Sequence, residues 1–193
     1  MLLSPSTVRT RVLAGLLVLG TVFLASAAQA QIRIVVIGDS NIAGKGVPSD
    51  QAYPARLEQA LRAKGYDVVV QNAGVNGDTT TGVLGRLDSA VPNGTQIAIV
   101  CVGVNDIVHG SSPAAVAANL GKIGGRLRAR GIETLMIRSA DFQGSLIDRP
   151  DLHVEPTRTP GRYHLNATGY DIVVARTLPQ VVALIAHVKS KRT

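Results

Sequence analysis

A doubly wound α/β fold with right-handed crossovers is predicted for this chain. Three observations predict it. Short β-branched runs recur along the chain, Ala/Leu-rich segments with helical ends separate them, and a polar motif follows each run. The strand candidates are IRIVVIG (residues 32–38), DVVVQNA (67–73), QIAIVCVGV (96–104) and ETLMIRS (133–139). They are continuously apolar instead of alternating, as parallel strands covered on both faces should be. The first helix is expected over residues 53–64, with Pro54 suited to its first turn and Gly65 to its stop. A short helix follows Thr81 and carries Val83, Leu84 and Leu87. The next begins at Ser112-Pro113, an N-cap with proline behind it, and runs to Arg130 before Gly131. The last covers residues 167–189. Residues 140–163, rich in Pro, Asp and Arg, read as irregular, with one short strand expected around 152–154.

The first thirty residues stand apart. Arg9 and Arg11 precede an apolar run over 12–25, and Ala28 and Ala30 give the small-x-small pattern of a secretory cleavage site. Residues 1–30 are therefore read as a signal peptide, and residues 31–193 as one domain, periplasmic or secreted. The apolar run is short of the ~20 residues that span a bilayer, and no other segment reads as long enough. No stable membrane insertion is expected after cleavage.

The 193 residues carry a formal charge of +7. Removing Arg9 and Arg11 with the leader lowers it by two, to +5. The excess is scattered, apart from short clusters at 126–130 and 189–192, and tryptophan is absent. A nucleic-acid partner would call for a clustered basic face with stacking rings, so none is expected. Cys101 is the single cysteine and lies inside IAIVCVGV, which excludes an intrachain disulfide and marks a buried thiol.

In a sheet of this kind ligands bind beyond the carboxyl ends of the strands. GDS (38–40) follows the first run, NAGVNGDTT (72–80) spans the end of the second, GVND (103–106) closes the third, and His164 follows the fourth through the irregular loop. A serine hydroxyl is a weak nucleophile until a base, usually histidine, takes its proton. An ester attacked at Ser40 would develop an oxyanion. The backbone N–H of Ser40, that of Gly77 and the side-chain NH2 of Asn105 are suitable donors for it. Each residue also has a plain structural reading: Ser40 as a helix cap, Gly77 as a positive-φ turn, Asn105 and Asp106 as loop closers.

These four blocks, in this order, resemble the SGNH (GDSL-type) hydrolase family, closest to its thioesterase I / lysophospholipase / arylesterase branch. The resemblance runs from Ile32 to about Ile185. It implies a flavodoxin-like three-layer α/β/α sandwich with a mostly parallel sheet. It also implies Ser40 as nucleophile, Gly77 and Asn105 as oxyanion donors, His164 as general base, and neither metal nor organic cofactor. Asp39 and Asp78, inside the motifs, are expected to brace loops.

The chain departs from the family at one corner. The family usually carries Asp-x-x-His, and the aspartate position here is Gly161; the region before His164 is also shortened. An aspartate there would fix the imidazole tautomer and stabilise the imidazolium. Its replacement is sought in the loop, with Asp151 first, then Asp148 or Glu155, or a backbone carbonyl near Gly161. His153, two residues after Asp151, is the rival base, but only His164 is followed by a helix start. His109 reads as a solvent-facing loop residue and His187 as a helix C-terminal charge. The function expected is an exported serine esterase or thioesterase acting on a small-molecule acyl ester, with a shallow acyl pocket. Its competitors are a ligand-binding protein on the same fold, weakened by the missing aspartate, and a sugar O-deacetylase.

Overall fold

The computed structural model of the chain describes residues 31–154 and 163–192. The expected signal peptide, Glu155 and Gly161 lie outside them. Four parallel strands, β1 (Ile32–Gly38), β2 (Val68–Gly74), β3 (Ile97–Cys101) and β4 (Glu133–Met136), form one sheet in the order β2-β1-β3-β4. The chain goes from β1 to one side and then to the other, so the switch in direction lies between β1 and β3. β3 and β4 end earlier than their apolar runs, because Gly103 (φ 128°) and the residues after Ile137 turn the chain into helices.

Seven helices alternate with the strands among the described residues: α1 (Ser40–Ala43), α2 (Tyr53–Ala63), α3 (Thr80–Ala90), α4 (Val104–Val108), α5 (Pro113–Ala129), α6 (Ser139–Gln143) and α7 (Ala167–Ser190). Their starts follow from side chains that satisfy orphan N–H groups. Thr79 accepts from Gly82 N (3.1 Å), which starts α3 just ahead of the expected position. Ser112 accepts from Ala115 N (3.2 Å), and Asn166 from Gly169 N (3.1 Å). The segment expected to be irregular holds α6 and two 3-10 turns, and the short strand expected near 152–154 reduces to a single antiparallel bridge, His153–Leu165.

The unbroken apolar run Ile34–Ile37 of β1, past its exposed Arg33, has a direct cause. Ile32, Ile34 and Val36 pack with Leu57 and Leu61 of α2 and Val181 and Ile185 of α7. Val35 and Ile37 face the other way, onto Val83 and Leu87 of α3 and Ile123 and Leu127 of α5. The result is the three-layer α/β/α arrangement. By length and composition α7 could also cross a bilayer, contrary to the expectation that no segment after the leader could. In the fold its buried stripe, Val173, Val181 and Ile185, closes the core.

Two glycines shape the end of the sheet. Gly38 and Gly74 are register partners, and a Cβ on either would collide with backbone: 2.0 Å from Cys101 O and 2.1 Å from Ala43 N respectively. Their bareness lets α1, with Ser40 at its first position, settle onto the strand ends.

Candidate active site

Ser40 opens α1, directly after β1, at the switch point of the sheet. As the first residue of a helix its N–H has no intrahelical acceptor. Asp39 caps the same turn, its Oδ1 accepting from Asn41 N (3.0 Å). His164 lies two residues before the N-cap of α7 and is 4% exposed. Its Nε2 is 2.9 Å from Ser40 Oγ across 124 residues of sequence. Hydroxyl and imidazole thus share one cleft of about 740 Å3, walled by Asn41, Asn105, Gln143 and Tyr163 and by apolar side chains of α4 and α5.

Much of the cleft wall comes from helices: Ile107 and Val108 of α4 and Pro113, Val116, Ala117 and Leu120 of α5 line it, together with Ile147. The cleft's volume falls in the range that encloses drug-sized ligands, roughly 300–1,000 Å3.

Asn105 stands on α4, in the cleft wall, and its Nδ2 donates to Asp78 O (2.8 Å). The helix is pinned by its neighbour. Asp106, 3% exposed, accepts from Thr80 N (2.8 Å) and Thr80 Oγ1 (2.5 Å). Gly77 sits on the exposed turn between Val75 and Asp78 with φ 78°, and it is not one of the residues that line the cleft. Asn105 ties that turn to α4 through the Asp78 carbonyl. Asp78 itself accepts from Arg86 Nε (2.7 Å), and Arg86 also donates to Ala73 O (2.9 Å) and Gly38 O (3.2 Å). One guanidinium therefore clasps the ends of β1 and β2, a role no sequence motif announced.

Asp151 is not brought to the imidazole, and the reading of it as orienter is corrected. Arg149, two residues away, takes both carboxylate oxygens (Nε–Oδ1 2.9 Å, Nη2–Oδ2 2.7 Å), and the Asp151 side chain is 57% exposed. The loop does fold back, but with its main chain. Asp151 O accepts from Asn166 Nδ2 (2.8 Å), Leu152 O from Asn166 N (2.8 Å), and Val154 N donates to His164 O (3.0 Å). Asp148 is exposed on the same loop. His153 leans its ring on Tyr163 (centroids 5.7 Å apart) and does not line the cleft. His109 is exposed, and His187 lies 3.4 Å from Glu133.

Residues 36–158 match the GDSL-like Lipase/Acylhydrolase family. The chain belongs to that family. It is 33% identical to an arylesterase of Vibrio mimicus over 116 residues, 60% of this chain and 58% of the relative. It is 35% identical to the esterase TesA of Pseudomonas aeruginosa over 130 residues, 67% of this chain and 63% of that one. It thus spans about three-fifths of the length of these curated relatives. Among solved structures, AlinE4, an SGNH-hydrolase family esterase, superposes with a TM-score of 0.60 at 30% identity, covering 79% of this chain and 96% of that one.

Asp39 places a carboxyl next to Ser40 at this GDSL site. It is fully buried, and its Oδ2 has no hydrogen-bond partner among the described residues. Burial pushes its carboxyl up to about 6, against the pull of the Asn41 N–H and the nearby His164. The folded value lies above the ordinary 3.8, so the native state holds the proton more tightly than the unfolded chain. The stability this contributes is in place below about pH 4 and is lost as pH rises through about 6, a change of up to ~3 kcal/mol. Asp39→Asn stays neutral throughout. Its stability relative to the wild type, read from urea midpoints, is therefore expected to improve by about that amount between pH 4 and pH 7. A difference that is the same at both pH values would remove Asp39 as the titrating group.

Proposed function

We propose that this chain is an exported serine hydrolase that cleaves acyl esters or thioesters through an acyl-enzyme on Ser40. The observation that carries the reading is the 2.9 Å separation of Ser40 Oγ and His164 Nε2 inside an apolar cleft. A nucleophile and base within hydrogen-bond reach are what activation of a hydroxyl requires. In the first half-reaction Ser40 Oγ attacks the substrate carbonyl carbon while His164 Nε2 takes the hydroxyl proton. The carbonyl oxygen becomes an oxyanion, stabilised by the N–H groups of Ser40 and Gly77 and by Asn105 Nδ2. Collapse of this adduct breaks the bond to the alcohol or thiol, which leaves with the proton from His164. Water, deprotonated by the same nitrogen, then attacks the acyl-enzyme and releases the acid and free Ser40.

The cleft adds a substrate preference. Its apolar walls favour an acyl or aryl group larger than acetyl, since each buried CH2 contributes about 0.8 kcal/mol. A shift of preference away from acetyl also separates this reading from a sugar O-deacetylase.

Purified protein should hydrolyse p-nitrophenyl esters, with kcat/KM rising from acetate to butyrate and hexanoate. A fluorophosphonate should label a single residue, identified as Ser40 by peptide mass spectrometry. Absence of both turnover and labelling would favour a ligand-binding protein on this fold.

A further inference from the structure

The nucleophile and the base sit on segments 124 residues apart, and Gln143 links the two. Its side-chain Nε2 donates to the carbonyl of Tyr163, the residue before His164, and lies 3.3 Å from Oδ1 of Asn41, the residue after Ser40. A carboxamide nitrogen has two hydrogens, one for each acceptor. A backbone carbonyl can only accept, so the nitrogen and not the oxygen must face Tyr163. Asn41 is 5% exposed and Gln143 half-buried, so water competes weakly for both contacts.

The platform beneath Gln143 is firm. It closes α6 next to Phe142, which is 1% exposed and packs edge-on against Tyr53 (centroids 5.1 Å) and Tyr170 (6.5 Å). Main-chain bonds to the 152–154 segment hold the base loop on its far side, at His164 O and Asn166 N. Gln143 holds it on the side that faces Ser40.

The geometry points to Gln143 as a positioning residue that fixes the His164 loop against the Ser40 turn, and so sets the nucleophile–base distance. This rests on the reading of Ser40 and His164 given above. It places part of the support for the base in α6, in a chain whose position 161 is glycine. Acyl transfer is sensitive to such a tie, since a displacement of about 1 Å can cost on the order of 10²-fold in rate.

Two variants test it. Gln143→Met keeps the length and removes the donor; Gln143→Glu keeps the shape and turns the donor into an acceptor. Both are expected to lower kcat and the rate of fluorophosphonate labelling of Ser40 by about 10- to 100-fold. KM is expected to change by less than about threefold and Tm by only a few degrees, as for a group that acts on alignment. The His164 Hε1 resonance, one line in the wild type, is expected to broaden or split in both variants, a readout that needs no turnover. Wild-type labelling rates and an unaltered resonance in either variant would overturn the assignment. So would a kcat loss that is matched by collapse of Tm, or one confined to Gln143→Glu. If Ser40→Ala and His164→Ala hydrolyse esters as the wild type does, the reading of Ser40 and His164 as nucleophile and base is what fails; the resonance still decides whether Gln143 positions the His164 loop.

Discussion

Ser40→Ala is expected to lower kcat for p-nitrophenyl butyrate by about 10⁴-fold or more, and His164→Ala by a similar factor. The double variant is expected to be no slower than either single one. A hydroxyl with no base to take its proton and a base with no hydroxyl to deprotonate are equally ineffective, so the two losses overlap. What survives in each is transition-state stabilisation by the donors at the oxyanion site and by binding, which needs neither group. KM is expected to stay within severalfold, because most of the apolar wall comes from α4 and α5 and not from Ser40 or His164. Far-UV circular dichroism and Tm verify that the fold persists. If the two single losses multiply in the double variant, Ser40 and His164 do not act on one proton, and the acyl-enzyme route through Ser40 is wrong.

The path from residues to this site was uneven. The α/β class was legible because both faces of β1 are covered past its exposed Arg33, so Ile34 through Ile37 had to be apolar without alternation. Helix starts were legible at two capping side chains, Ser112 and Asn166, but not at Asp39, which caps the short α1. The meeting of Ser40 and His164 was legible as an order of motifs, since strand ends in a parallel sheet converge whatever the sequence between them. Orientation inside the loop was not. Distance along the chain favoured Asp151, but Arg149 stands two residues from it and matches both carboxylate oxygens, while the loop returns to Asn166 and His164 through backbone groups that any residue type supplies. Gln143 and Arg86 were hidden for the same reason: each binds main-chain carbonyls far away in sequence. The cleft was hidden by ambiguity. Val116 and Leu120 on α5 show the spacing of an ordinary core face, and only the position of α4 decides that they line an opening.

Asn105→Ala is expected to reduce kcat by about 10²–10³-fold, the usual loss of one oxyanion-hole donor. The geometry leaves one side chain able to brace the site and, under the proposed mechanism, also to serve it. The Asn105 NH2 group has two hydrogens, and Asp78 O engages one at 2.8 Å. That bond fixes the plane of the amide, and the proposed mechanism assigns the second hydrogen to the oxyanion. The same bond makes alanine an imperfect probe, because it also frees the turn that carries Gly77. Asn105→Asp separates the two roles, since a carboxylate matches the amide in shape but has no hydrogen to donate and adds a negative charge beside the developing oxyanion. It is expected to be slower than the alanine variant. A purely structural Asn105 predicts a different result: Tm falls in both variants, and the kcat losses are small and similar. A loss below about tenfold in Asn105→Ala, with Tm preserved, would leave the oxyanion to the backbone donors of Ser40 and Gly77.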